Sequence, residues 1–272
     1  MEFSQFLIDR SGYERPGFSA TYDRHRPRTP PELVDALNRY ARQPHPDLVV
    51  DLGTGTGLSA RAWTDAARQV IGIEPNPAML AEAERVTTEP NVSFRLAFAH
   101  ATGLDDGAAD IVTCSQSLHW MEPEPTFTEV ARILRPGGVF AAYDYDWPAT
   151  VDPELDEAFD AYKERRRVAR EVRGIQRGAD KWAKDGHQGR MRASGHFRFC
   201  REVLLHSVEQ GGAERVVGFA RSLGMPVADG QDEGLEHELA IDELEQVAVR
   251  VLGNRVVPFL ISYRVRIGVV DG

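Results

Sequence analysis

The chain predicts an α/β fold: a doubly wound sheet, mostly parallel, with an antiparallel strand near its carboxyl end and a helical insertion after strand five. Three observations carry this. Short apolar runs alternate with helical patterns between residues 47 and 145, the order that makes neighbouring strands parallel and covers both faces with helices. Those runs are continuously apolar, as expected of strands buried on both sides. The last stretch behaves differently. Val257, Phe259, Ile261, Tyr263, Val265, Ile267 and Val269 alternate with Leu260, Ser262, Arg264, Arg266 and Gly268, and a period of two marks a half-exposed antiparallel strand.

Taken in order, Pro30-Pro31-Glu32 opens a helix in which Leu33, Ala36, Leu37 and Tyr40 recur at helical spacing, and Pro44 and Pro46 close it. Asp47 to Asp51 is the first strand and runs straight into glycines. Leu58 to Ala67 reads as a helix, Gln69 to Glu74 as the second strand, and Pro75 to Val86 as a helix with Pro77 in its first turn. Val92 to Ala97 is the third strand. Asp105-Asp106-Gly107 turns the chain into the fourth, Ala109 to Ser115. The helix Pro125 to Leu134 is stopped by Arg135-Pro136-Gly137-Gly138, and Val139 to Tyr145 is strand five.

Beyond residue 148 the alternation lapses. Pro153 to about Arg173 reads as a long charged helix, and Gly174 to Gly195 has weak periodicity with several glycines. Phe199 to Val208 resumes as a strand, followed by helices at Glu214 to Leu223 and Ile241 to Leu252. The expected organisation is a single domain over 1–272. Residues 1–30 form an amino-terminal lid segment, and 148–197 an insertion over the carboxyl ends of the parallel strands, where such sheets bind ligands.

A net charge of −10 argues against a large nucleic-acid footprint. No run approaches the ~20 apolar residues needed to cross a bilayer. The first ten residues mix Glu2, Asp9 and Arg10 with Phe and Leu, unlike a signal peptide, so a cytoplasmic protein is expected. Cys114 lies in an apolar run and reads as a buried free thiol; Cys200 is remote from it, and the histidines lack ligand spacing, so no metal is expected.

The chemistry sits in Val49-Val50-Asp51-Leu52-Gly53-Thr54-Gly55-Thr56-Gly57. Glycines after a first strand let the backbone approach a nucleotide and turn into a helix. Glu74, at the end of strand two, is placed to accept hydrogen bonds from both ribose hydroxyls. A dinucleotide site needs G-x-G-x-x-G around a pyrophosphate. Here the third glycine, Gly57, comes one place early. Asp51 would also repel a pyrophosphate, yet suits the ammonium of a methionine moiety, directly or through water. The chemistry favours a sulfonium nucleotide over NAD.

These residues resemble the class I S-adenosylmethionine-dependent methyltransferases with a Rossmann-like sheet, in particular the small-molecule "type 11" family of the ubiquinone/menaquinone-biosynthesis kind. Asp51 to Gly57 matches the family's first motif and Gly72 to Leu80 its second. Ser117-Leu118-His119-Trp120-Met121 resembles the segment after strand four, and Leu134 to Gly138 the helix-to-strand turn. Tyr22-Asp23-Arg24-His25-Arg26-Pro27 resembles an amino-terminal Tyr-x-x-x-Arg-Pro, which implies that Tyr22 and Arg26 close over the methionine carboxylate. The resemblance implies a cofactor set of Tyr22, Arg26, Asp51, Gly53, Thr54, Gly55, Glu74, Pro75, Ala101, Thr102 and Ser115. One departure stands out: Thr102 occupies the place of an acid that holds the adenine amino group.

Against each such role stands a plainer one. Asp51 either orients the ligand or caps the turn, and His119 is either a general base or a rim residue. His100, His187 and His196 show no orienting partner. Tyr143, Asp144 and Tyr145 end strand five, where side chains face a substrate. Trp147, Trp182 and Phe197 either wall the acceptor pocket or pack the core. The basic run from Lys163 to Arg192 is either a solvated helix face, screened by the acids of residues 229–245, or the source of one or two cations for an anionic substrate. The expected function is methyl transfer from S-adenosylmethionine to a small-molecule acceptor at O, N or C, leaving S-adenosylhomocysteine. The expected state is a monomer or homodimer without nucleic acid or membrane. Alternatives are an S-adenosylmethionine-binding protein or cyclase that transfers no methyl group, and an RNA methyltransferase.

Overall fold

A computed structural model describes residues 18–172, 182–223 and 240–272. The chain falls into two compact units, one made of 28–145, 181–205 and 263–272, the other of 1–27, 146–180 and 206–262.

The first unit carries the parallel strands. β1 (Leu48–Leu52) lies between β2 (Gln69–Glu74) and β4 (Ala109–Ser115), parallel to both. β3 (Val92–Leu96) continues in parallel from β2, and β5 (Leu134–Tyr145) from β4. β6 is Phe199–Gly211 and β7 is Val257–Val269. β7 runs antiparallel to β5, with Val139 opposite Val269 and Tyr145 opposite Tyr263. The sheet order is β3-β2-β1-β4-β5-β7-β6.

Local chemistry explains the flanking helices. α2 (Pro31–Ala41) begins on a proline whose missing N–H costs nothing there, and ends on Arg42 in the left-handed region at φ 56°. It buries Leu33, Val34, Leu37 and Ala41. α3 (Pro77–Val86) is capped by Asn76, whose side-chain oxygen accepts from the N–H groups of Ala78 and Met79. α4 (Pro123–Ile133) buries Phe127, Val130 and Ile133. Phe140 of β5 stacks on Phe197 at 5.6 Å, and Phe127 meets both edge-on. Phe197 is therefore core packing. Such ring pairs contribute about 0.5–1.5 kcal/mol beyond their buried area.

Three expectations change. Leu58 to Ala67 is one 3₁₀ turn (Ala60–Trp63) within a run of turns, because its N–H groups divide between partners three and four residues back. The strand after α4 starts at Leu134 and runs through Pro136 and the glycines, with its register shifting between Ala109 and Ile111 and Gly137 at φ 73°. β7 alternates in burial as expected from Val257 to Arg264, but from Val265 to Val269 both of its faces are buried, with Met191 and Phe197 lying against the face that carries Gly268.

The second unit is mainly helical: α1 (Phe18–His25), α5 (Pro153–Val172), α7 (Ala213–Arg221) and α8 (Ile241–Leu252). Phe159 stacks on Phe219 at 5.7 Å, and the Tyr162 hydroxyl donates to the carbonyl of Ala220. Trp147 meets Phe219 edge-on. Of the described residues in 148–197, 148–172 group with this unit and 182–197, including α6 (His187–Ala193), with the parallel strands.

Candidate functional site

β1 has β2 on one side and β4 on the other, so the winding direction reverses at its carboxyl end, where open α/β sheets leave a crevice for ligands. The turn at that point is built from backbone. Gly53 and Gly55 have φ of 63° and 60°, a region that costs other residues free energy. The N–H groups of Gly53 and Thr54 both donate to the carbonyl of Ile73, at 2.8 and 3.1 Å, and pin the turn to β2. A Cβ on Gly53 would stand 2.7 Å from Ser117 Cβ and 2.8 Å from Met121 Cε. The segment after β4 therefore presses directly on the turn.

Glu74 closes β2 at 7% exposure. Its Oε2 accepts from Gly55 N–H at 2.8 Å and its Oε1 from Asn76 N–H at 2.9 Å. Burial pushes its pKa up to about 7, against the lowering by those two bonds. Each oxygen keeps a second lone pair, which suits a ribose diol. Pro75 follows it, half-buried.

Asp51 has no exposed surface. Its Oδ2 accepts from the hydroxyls of Thr54 (2.7 Å) and Ser59 (2.5 Å), and its Oδ1 from that of Thr113 (2.7 Å). Burial raises its pKa despite these three bonds. With three hydroxyls on four lone-pair positions, Asp51 organises the turn.

Thr102 is also fully buried. Its N–H and hydroxyl both donate to Glu129 Oε1 of α4, at 2.9 and 2.6 Å, and its hydroxyl accepts from Leu104 N–H. The Thr102 hydroxyl is thus shared between Glu129 and Leu104, and Ala101 beside it is exposed. Burial pushes the Glu129 carboxyl up, but hydrogen bonds from Arg132 and Thr102 outweigh it and hold the pKa at about 2. Ser115 ends β4 with its hydroxyl on that of Tyr143, which also meets Thr29 at 2.9 Å.

Tyr22 and Arg26 belong to the helical unit. The Arg26 guanidinium lies 4.4 Å from the Tyr22 ring centre and donates to the Ser222 hydroxyl (2.9 Å) and carbonyl (2.7 Å).

A second cluster surrounds His119, which is 8% exposed. Its Nδ1 is 3.8 Å from Asp144 Oδ1, beyond hydrogen-bond length. The other Asp144 oxygen accepts from Arg266 Nη1 at 2.6 Å, and Lys184 Nζ lies 2.8 Å from Oδ1. Arg266, at 1% exposure, also donates through Nε to Glu202, which in turn holds Arg264. Lys184 Nζ donates to Gln116 Oε1 at 2.6 Å, and the N–H of Trp182 donates to the carbonyl of His119. His187, 1% exposed, is held neutral: burial, opposed by Asp144, lowers its pKa to about 4.

Sequence reasoning did not find Lys184, Glu202 or Arg266 individually. Arg266 and Asp144 are 122 residues apart, and no local pattern links them. The basic run resolves mostly into a paired helix face. Arg165 meets Glu243, Arg167 meets Glu164 and Glu171, Lys163 meets Asp160, and Arg166 donates to the carbonyl of Leu223. Arg173, Arg177, Lys181 and most of the acidic stretch lie outside the described residues. His100 stacks on Phe98, and His196 meets Thr128.

Residues 50–142 match the family model described as a methyltransferase domain. A protein of Saccharomyces cerevisiae, named as a probable S-adenosylmethionine-dependent methyltransferase, is 34% identical over 161 residues, 57% of this chain and 54% of that protein. An uncharacterised methyltransferase of Mycobacterium tuberculosis is 38% identical over 117 residues, 43% of this chain and 46% of its own length. The chain thus spans about half the length of these curated relatives. The solved structure of a proposed type II methyltransferase from Anaeromyxobacter dehalogenans aligns with a TM-score of 0.62 at 22% identity, covering 90% of this chain and 98% of that one.

Proposed function

We propose that the chain is an S-adenosylmethionine-dependent methyltransferase that transfers a methyl group to a small-molecule acceptor, leaving S-adenosylhomocysteine; the match of residues 50–142 to a methyltransferase domain and the similarity to methyltransferase relatives support this reading. The observation that carries this reading is Glu74. Its carboxyl is buried at the end of β2, hydrogen-bonded to the N–H of Gly55 in the turn, with lone pairs left for a diol.

The residues fit the nucleotide. Gly53 and Gly55 bring bare backbone to the crevice, Glu74 takes the ribose, Thr54 presents the turn's hydroxyl, and Pro75, Ala101 and Ser115 border the space. Tyr22 and Arg26 keep the methionine-carboxylate role in this reading, tested by titrating S-adenosylhomocysteine into Arg26→Ala. When bound, S-adenosylmethionine supplies an activated methyl on sulfonium, so the chain mainly provides alignment and exclusion of water. His119 is the group assigned to accept a proton where the acceptor must lose one; a carboxylate acceptor needs no base.

The reading is tested by isothermal titration with S-adenosylhomocysteine and NADH, followed by mass spectrometry of turnover. Binding of the sulfur nucleotide alone, with an acceptor heavier by one methyl group, is the expected result. Binding of NADH alone overturns it.

A further inference from the structure

The two oxygens of Asp144, near the end of β5, are treated differently. Oδ2 accepts from Arg266 Nη1 at 2.6 Å, and Arg266 is itself buried and held through Nε by Glu202 Oε2 at 3.0 Å. A guanidinium is planar and rigid, so two carboxylates on it fix its plane, and that plane fixes the Asp144 carboxyl. Oδ1 is buried and accepts no hydrogen bond among the described residues. Lys184 Nζ forms an ion pair with it at 2.8 Å, but donates its hydrogen bond to Gln116 Oε1. A buried acceptor is costly to leave without a donor.

The ring that faces this oxygen is His119. Its Nδ1 lies 3.8 Å from Asp144 Oδ1, and both side chains are buried. That is longer than a hydrogen bond, as such contacts often are in a ligand-free enzyme before substrate tightens them. His187 also feels Asp144, which opposes the fall in its pKa, but its Nδ1 is engaged with Arg190 Nη2 at 2.9 Å. His119 also stands between Ser117 and Met121, whose side chains lie against Gly53 of the nucleotide turn. It is therefore the histidine closest to the place proposed for the cofactor's methionine end.

A neutral imidazole can accept a proton only on the nitrogen that carries no hydrogen. In water the hydrogen prefers Nε2, which leaves Nδ1, the nitrogen nearer the backbone, as the base. A carboxylate opposite Nδ1 reverses this preference and puts the lone pair on Nε2. When Nε2 takes the acceptor's proton the ring becomes a cation, Nδ1 keeps its hydrogen, and the carboxylate stabilises the new charge while staying ionised.

We infer that Asp144 is the positioning residue for His119: it holds the ring hydrogen on Nδ1 and leaves Nε2 to take a proton from the acceptor. The inference rests on the methyl-transfer reading, in which His119 is the base, and the two fail separately. Wild type and Asp144→Asn are labelled with nitrogen-15 histidine, and the His119 signals are assigned by their loss in His119→Gln. The tautomer is read by NMR at a pH where the ring is neutral, first in the free protein and then with S-adenosylhomocysteine added. Failure of that ligand to bind counts against the methyl-transfer reading alone, and the free protein still decides the inference.

The wild-type ring is expected to carry its hydrogen on Nδ1, and Asp144→Asn to shift the main form to Nε2–H. A carboxylate that merely neutralised Arg266 would leave the tautomer where it was. An unchanged backbone amide spectrum reports an intact fold in Asp144→Asn. If that spectrum is lost, the triple variant Asp144→Asn, Glu202→Gln, Arg266→Met, which removes the buried charges together, takes its place. A wild-type hydrogen on Nε2 overturns the inference, and so does an Nδ1–H form that persists once the carboxylate is gone.

Discussion

Glu74 Oε2 accepts the N–H of Gly55 at 2.8 Å, so the acid at the end of the second strand holds the turn after the first. One carboxyl thereby shapes the glycine turn, and in the proposed function it also takes the ribose. Glu74→Gln keeps the shape and removes the charge. Its affinity for S-adenosylhomocysteine is expected to fall about ten-fold, equivalent to ~1.4 kcal/mol, as measured by titration calorimetry at pH 8.

The same carboxyl sets a pH dependence. Its folded pKa of about 7 lies above the ordinary 4.5, so the native state binds this proton more tightly than the unfolded chain does. Its contribution to stability is full below about pH 4.5 and disappears as pH rises toward 7, a change on the order of 3 kcal/mol. Urea unfolding across that window should show a larger loss in the wild type than in Glu74→Gln, which keeps the contribution of buried Asp51. Ligand affinity should move oppositely, rising with pH as Glu74 ionises, since ribose hydroxyls donate best to a carboxylate.

Thr102 stands where the family resemblance implies an acid, and its hydroxyl and N–H meet Glu129. Putting the acid back should therefore fail. Thr102→Asp sets two carboxylates against each other in a buried place, and is expected to lower stability by about 2 kcal/mol or more without tightening S-adenosylhomocysteine binding. Thermal unfolding and calorimetry on one preparation check both parts. A tighter-binding variant would return adenine recognition to position 102.

Arg266 is buried with Asp144 and Glu202 on its guanidinium. Arg266→Met leaves two carboxylates without their shared cation, and is expected to cost about 3–5 kcal/mol in urea unfolding. The triple variant Asp144→Asn, Glu202→Gln, Arg266→Met should recover a good part of that loss, because the uncompensated charges go with it.

The ring stack of Phe140 on Phe197 places residue 197 in the core of the sheet unit. Phe197→Ala should destabilise by about 3–5 kcal/mol through the cavity it leaves, with little change in S-adenosylhomocysteine affinity at a temperature where the variant is folded. A selective loss of ligand affinity would instead make Phe197 a pocket wall.

What was legible in the sequence is what local order dictates. Continuous apolar runs ended by glycine or acid marked β1 and β2, the turn at Asp105 to Gly107 marked the start of β4, and the spacing from Gly53 to Glu74 agrees with the parallel pairing of Val50 with Ile71. The adenine side was harder. Thr102 looked like a weakened ligand, whereas its partner, Glu129, lies 27 residues away on a helix. The charged cluster was illegible for the same reason: alternation in β7 puts Arg266 on the polar face of an exposed strand. Only knowing that Asp144 and Glu202 meet Arg266, and that Met191 and Phe197 lie against nearby Gly268, turns that face inward.

That placement has a consequence for how the protein is made. Asp144 leaves the ribosome 122 residues before Arg266 does. At ordinary elongation rates this is a wait of about 6 to 24 s, during which β5 is a bare sheet edge carrying a carboxylate with no counter-ion. The sheet cannot finish in the order in which it is synthesised, since its closing strand comes last and inserts next to one made much earlier. The nascent chain is then most exposed to edge-on association in that interval. Lys184, emerging part-way through, is the first cation able to shield the waiting acid.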